Sequence, residues 1–177
     1  MFKRIQAYFY NQALQAAVKK IGKIERTKLP NNQIKTIGIL FNASEEFNFT
    51  AVDHFAAKYS AYQVELLGYI NRSKKKLGAK SIPFSCFLQD DVNWYNVPSG
   101  MKVEQFTAKK FDILIHLTIT EDPVIEYIMA TTKARFRVGF FQPNKEALYD
   151  LMITSKEGDK LQDLCNQIEH YLQLINP

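Results

Sequence analysis

The residues of this chain that could do chemistry stand just after its apolar runs. Asn42, Ser44, Glu45 and Glu46 follow the run 35–41, and Gln89, Asp90 and Asp91 follow 84–88. Thr118 ends the run 111–118 and Thr120, Glu121 and Asp122 follow it, and Gln142 with Asn144 follows 136–141. Carboxylates gathered at one edge can activate a hydroxyl or hold a cation through oxygens. His116 differs in lying inside an apolar run, and imidazole is the side chain that changes charge near neutral pH. Glu46, Asp90 and His116 are therefore the candidates for catalysis. Asn42, Ser44, Asp91 and Thr118 are the candidates for holding a ligand. Each has a plainer role as well. Acids ahead of a helix favour its positive N-terminal end, and Asp122, directly before Pro123, is expected to act as such a cap. His116 could be a core histidine with one hydrogen-bond partner.

Other chemistries lack their residues. The turn after the first apolar run has no glycine, so the backbone cannot close on a pyrophosphate there. No GxxxxGK[ST] and no GxSxG occurs. The two cysteines, Cys86 and Cys165, are isolated and make no zinc pattern. They read as buried, reduced core residues, which suits a reducing compartment. His54 and His170 lie far apart, each on a helical stretch. No metal and no cofactor is expected.

The elements that must place these residues follow from periodicity. Runs such as 35–41, 64–70 and 111–118 are apolar at nearly every position, as strands covered on both faces are. Helical stretches separate them. One is expected from about Thr50, with Thr50 and Asp53 as a capping box, one over 102–110 capped by Ser99, and one from Pro123. A last helix, opened by a Thr154–Glu157 capping box, carries Leu161, Leu164, Ile168, Leu172 and Ile175 on one face. Further strands fall at 84–88, 136–141 and 149–154. Strands alternating with helices imply a three-layer α/β/α domain with a mostly parallel, doubly wound, Rossmann-like sheet. In such sheets a ligand binds outside the carboxyl ends of the strands.

At 177 residues, 46% of them hydrophobic, the chain can bury an ordinary single core. Its charge is unevenly placed. Residues 1–30 hold seven cations against Glu25 alone, a net +6, while the whole chain is +5. Two units are thus expected: a basic amphipathic helical arm over 1–30, closed by a linker at 30–32, and the α/β domain over 31–177. The arm, residues 1–28 in particular, suits a protein partner or a homo-oligomer contact. An anionic membrane surface or nucleic acid would also match its charge. No apolar run reaches the roughly 20 residues of a membrane span. Gln6, Asn11, Gln12 and Gln15 interrupt the start, unlike a secretory signal. The expected location is cytoplasmic.

Two resemblances bear on function. The stretch FDILIHLTITEDPVIEYIMATTKARFRVGFF from Phe111, with IKTIGILFNASEEFNF nearer the front, resembles a family of uncharacterised bacterial proteins, a domain of unknown function. This implies a fold and no activity. The strand Asp112–Leu117, followed by a helix and then Ala134, Arg137, Val138, Gly139 and Phe140, is also similar to the N-terminal domain of heptosyltransferase-type glycosyltransferases. In those enzymes the first strand ends in a glycine-rich loop with an aspartate base. Here Asn42-Ala43-Ser44-Glu45-Glu46 stands in that place, and their sugar-nucleotide half has no counterpart. The function expected is a non-catalytic binding or protein-interaction module. The alternative is a small or degenerate transferase-like enzyme with its site at the C-terminal ends of the strands.

Overall fold

The computed structural model describes residues 2–21, 34–44, 46–78, 85–118, 120–156 and 160–175, without the side chains of 46–48 and 175. Six strands form one all-parallel sheet: β1 (Thr36–Asn42), β2 (Gln63–Ile70), β3 (Cys86–Leu88), β4 (Lys110–Leu117), β5 (Lys133–Phe140) and β6 (Leu151–Ile153). Their order is β3-β2-β1-β4-β5-β6. The helices are α1 (Phe2–Ile21), α2 (Glu46–Ala57), α3 (Lys74–Leu77), α4 (Met101–Ala108), α5 (Pro123–Thr131) and α6 (Leu161–Ile175). This is the three-layer, doubly wound α/β architecture. Chain order reverses between β1 and β4, which pair in parallel from Ile37↔Ile113 to Phe41↔Leu117. That reversal makes the topological switch point.

Alternation along the strands sorts side chains into two cores. Ile37, Ile39 and Phe41 of β1, with Ile113, Ile115 and Leu117 of β4, meet Val52 and Phe55 of α2 and Leu164 and Ile168 of α6. The opposite face carries Leu40, Leu67 and Leu114 against α4 and α5, and Ala17 and Ile21 of α1 join that core. Both faces are covered, which explains why these strands read as continuous apolar runs. Cys86 and Cys165 are free and buried, and burial pushes their thiols up to about 11 and about 12.

The helix starts differ from expectation. α2 begins at Glu46 rather than near Thr50, because Phe49 packs edge-on against Phe41 with ring centres 5.9 Å apart and brings that turn onto the sheet. α4 is preceded by Gly100, whose φ of 100° favours glycine, while the Ser99 amide is bonded to the Asp91 carbonyl at 2.8 Å. α6 begins at Leu161. The Asp163 carboxylate accepts from the Lys160 amide at 2.9 Å, so the first turn is held from 160 to 163 and not by Thr154. β6 starts at Leu151 and not at Tyr149, because Tyr149 turns inward to His116. Expected helix over 22–28, the linker at 30–32 and Glu157 lie outside the described residues.

Candidate functional site

The ends of β1, β2 and β4 are tied by side chains rather than by a glycine turn. Thr118 Oγ1 accepts from the Asn42 amide at 3.1 Å, and Asn42 Oδ1 accepts from the Ser44 amide at 2.9 Å. Ser44 Oγ in turn accepts from the Asn71 amide at 3.0 Å. Three of the four expected ligand-binding residues are thus brought together in one hydrogen-bonded row. Asp122 stands at its end. Its Oδ1 accepts from the amides of Val124 at 3.0 Å and Ile125 at 3.4 Å, and its Oδ2 accepts from Asn42 Nδ2 at 3.2 Å. Asp122 is the cap expected for α5. Burial raises its carboxyl above the ordinary range, and the three hydrogen bonds oppose that shift.

A cleft of about 550 Å³ opens beside this row, reached by Asn42, Asn71 and Asp122 but not by Ser44 or Thr118. Asn42, Tyr69 and Asn71 form its floor, and Thr120 through Val124 form the wall ahead of α5. The third wall comes from further away: Gln6 of α1 and the loop at 92–98, with Asn93, Trp94 and Asn96. Asn93 organises that loop. Its Oδ1 accepts from the amides of Tyr95 at 3.1 Å and Val97 at 3.0 Å, its amide donates to the Val97 carbonyl, and Val92 bridges Pro98. Asn96 takes φ 63°, a left-handed conformation that asparagine tolerates. Gln6 Nε2 donates to the Trp94 carbonyl at 2.8 Å, joining α1 to the loop across 88 residues. At the floor, the Tyr69 hydroxyl lies 3.2 Å from Asn71 Oδ1, and burial pushes that phenol up to about 12.

The candidate chemical groups are scattered. Asp90 Oδ2 accepts from the Lys74 amide at 2.6 Å, ahead of α3. Asp91 Oδ2 accepts from the Leu88 amide at 2.8 Å. Glu46 opens α2, and its side chain lies outside the described residues, as does Glu45. His116 is fully buried under α5, with Nδ1 2.7 Å from the Tyr149 hydroxyl and the rings stacked at 9°. Burial holds its imidazole down at about 3. His54 and His170 are exposed on helices. Among the described residues, no three His, Cys, Asp or Glu side chains converge as metal ligands would. No described helix is long and apolar enough to cross a membrane.

Of the expected ligand residues only Asn42 lines the cleft, beside the strand-end residues Gln89, Thr120, Glu121 and Asp122, while Gln6, Tyr69, Asn71, Asn93, Trp94 and Asn96 were not expected there. The asparagines of the 92–98 turn were the available signal, since Asx turns place their side chains on the backbone two residues ahead.

Fold and cleft together define a doubly wound α/β domain with an open polar site at its switch point. Residues 6–175 match a family of unknown function, DUF6913, and the chain belongs to that family. No curated protein and no solved structure matches it. The similarity to heptosyltransferase N-terminal domains is therefore not supported. The physical difference lies at the turn after β1, where Asn42 and Ser44 form a side-chain relay in place of a glycine loop.

Proposed function

We infer that this chain is a non-catalytic binding module that takes a small polar ligand in the switch-point cleft. One observation carries the reading: the described aspartates and the histidine at the strand ends are already engaged in holding the fold. Asp90, Asp91 and Asp122 accept from backbone amides, and His116 is sealed in the core against Tyr149. What faces the cleft is mostly amides and hydroxyls, with the carboxylates of Glu121 and Asp122 and no histidine or cysteine beside them among the described residues, a set suited to recognition. The volume falls within the roughly 300–1,000 Å³ common to small-ligand sites.

Interaction through residues 1–28 belongs to the same proposal. Phe2, Ile5, Tyr8 and Phe9 remain exposed on α1 beside Trp94, with Lys3 and Arg4 among them. An exposed aromatic cluster with adjacent cations suits a partner surface.

The test is a metabolite screen by thermal shift on the intact chain and on Thr120→Trp, which fills the cleft mouth. A ligand that raises the melting temperature of the first and not of the second supports the reading. Ligands that stabilise both equally, or chemical turnover of the bound molecule, would overturn it.

A further inference from the structure

We propose that the cleft binds a neutral saccharide, a reading that rests on the binding-module proposal above. The lining is chemically selective. It holds amides from Asn71, Gln89, Asn93 and Asn96, one indole from Trp94 and, among the described residues, no lysine or arginine. Its ionisable acids are Glu121 and Asp122. An anionic ligand would meet two carboxylates there and no cationic side chain among the described lining residues. The helix N-terminus that could have seated a phosphate is α5, and its first free amides are already taken by the Asp122 side chain.

The amides also have a defined polarity. Asn93 Oδ1 is committed to two backbone amides, so the group it has left for the cleft is its NH2. Asn71 Oδ1 is engaged by the Tyr69 hydroxyl, which leaves its NH2 in the same position. Hydroxyl oxygens are the natural acceptors for such neutral donors, and hydroxyl protons can return to Thr120 Oγ1 or to the Glu121 carboxylate. Trp94 supplies the complementary apolar contact. Its indole is 47% exposed and is backed by Phe9 at 5.3 Å and Phe2 at 6.0 Å between ring centres. A flat aromatic surface beside planar amides suits a pyranose ring, which offers one C–H face and an equatorial rim of hydroxyls.

Trp94 is the sole tryptophan in the chain, so its emission reports on the cleft directly. The experiment titrates the intact chain with glucose, galactose, mannose, maltose and lactose, following tryptophan fluorescence and saturation-transfer NMR. ADP and inorganic pyrophosphate form the anionic arm. The expected result is a shift of Trp94 emission and saturation transfer for at least one saccharide, with no competition from ADP or pyrophosphate. Asn93→Asp keeps the oxygen that holds the loop and replaces the NH2 with a second oxygen. It should weaken saccharide binding about tenfold or more with the melting temperature unchanged, and Trp94→Ala, followed by saturation-transfer NMR because it removes the sole indole, should also weaken binding. Silence from every saccharide at tens of millimolar overturns the proposal, as does tighter binding of ADP or pyrophosphate. If the saccharides fail while the metabolite screen yields a ligand blocked by Thr120→Trp, the binding module stands and the saccharide falls.

Discussion

His116 Nδ1 and the Tyr149 hydroxyl lie 2.7 Å apart in the core beneath α5, the single polar contact of a fully buried imidazole among the described residues. Its Nε2 has no hydrogen-bond partner among the described residues. Burial holds the imidazole at about 3 against the ordinary 6.5. Between those two values the unfolded chain carries a proton on His116 that the folded chain does not. The stability tied to this group is complete above 6.5 and declines as pH falls toward about 3. His116→Gln removes that proton linkage and leaves every other titrating group in place. Urea melts at pH 7, 5.5 and 4 should show the parent losing stability faster than the variant, with an excess slope on the order of 1 kcal/mol per pH unit. Parallel curves would show that His116 takes up no proton on unfolding.

The same pair constrains Gly139. A Cβ built there would lie 2.5 Å from Tyr149 Cε1 and 3.3 Å from His116 Cβ. The ring cannot swing aside freely, because its hydroxyl is held by His116. Gly139→Ala should cost about 1–3 kcal/mol, as overpacking does. In a Tyr149→Phe background the anchor is gone, so the cost should shrink and the two changes should add to less than their sum. Strict additivity in denaturant melts would separate Gly139 from the pair.

How much was legible in the sequence depended on how local the cause was. Ile37–Phe41 and Ile113–Leu117 are apolar at nearly every position, His116 excepted, because both faces of each strand are covered, so a parallel, internal sheet could be read directly. Asp122-Pro123 is a local cap and stop signal, and it acts as one. Thr50, Ser99 and Thr154 carried equally good local signals and do not cap. There the Phe41–Phe49 contact, the Asp91 carbonyl and the Asp163 carboxylate decide the boundary. The cleft was half legible for the same reason. Asn42 lies at a strand end, where the fold class places ligands, but Gln6 and Trp94 meet only through tertiary packing.

The Asp122 cap can be tested by graded removal. Asp122→Ala leaves the amides of Val124 and Ile125 without their carboxylate and releases Asn42 Nδ2. The expected loss is about 0.5–2 kcal/mol. Asp122→Ser restores one capping oxygen and should recover much of it. Two variants of equal stability in urea would show that the cap adds nothing.

α6 should behave as a docked structural helix. Leu164 and Ile168 are both fully buried against the α2 side of the sheet. Either truncation to Ala should cost about 2–5 kcal/mol. Leu174, 62% exposed on the same helix, provides the control, and its change to Ala should stay within about 0.5 kcal/mol. A loss below about 1 kcal/mol at both buried positions would mean the helix contributes little packing.

α1 presents the sharpest contest between charge and packing. Its cations suggest an appendage, and all six strands are encoded after Lys35, so a chain lacking residues 1–30 is expected to keep a cooperative fold. Yet Tyr10, Ala17 and Ile21 are buried, and the Tyr10 hydroxyl donates to the Pro123 carbonyl at 2.8 Å and lies 3.1 Å from Glu126 Oε2. That same carboxylate oxygen receives Lys145 Nζ at 2.7 Å. Removing α1 therefore uncovers apolar surface on α5 and leaves Glu126 with one partner fewer. Tyr10→Phe alone should cost about 1–3 kcal/mol, the range for a buried hydrogen bond to a retained acceptor. Ile21→Ala should cost about 2–5 kcal/mol. The truncated chain should melt cooperatively but at a clearly lower urea concentration, with increased binding of a hydrophobic dye. An unchanged midpoint would mean that the helix rests on the domain without stabilising it. Loss of the cooperative transition would mean that α1 completes the core.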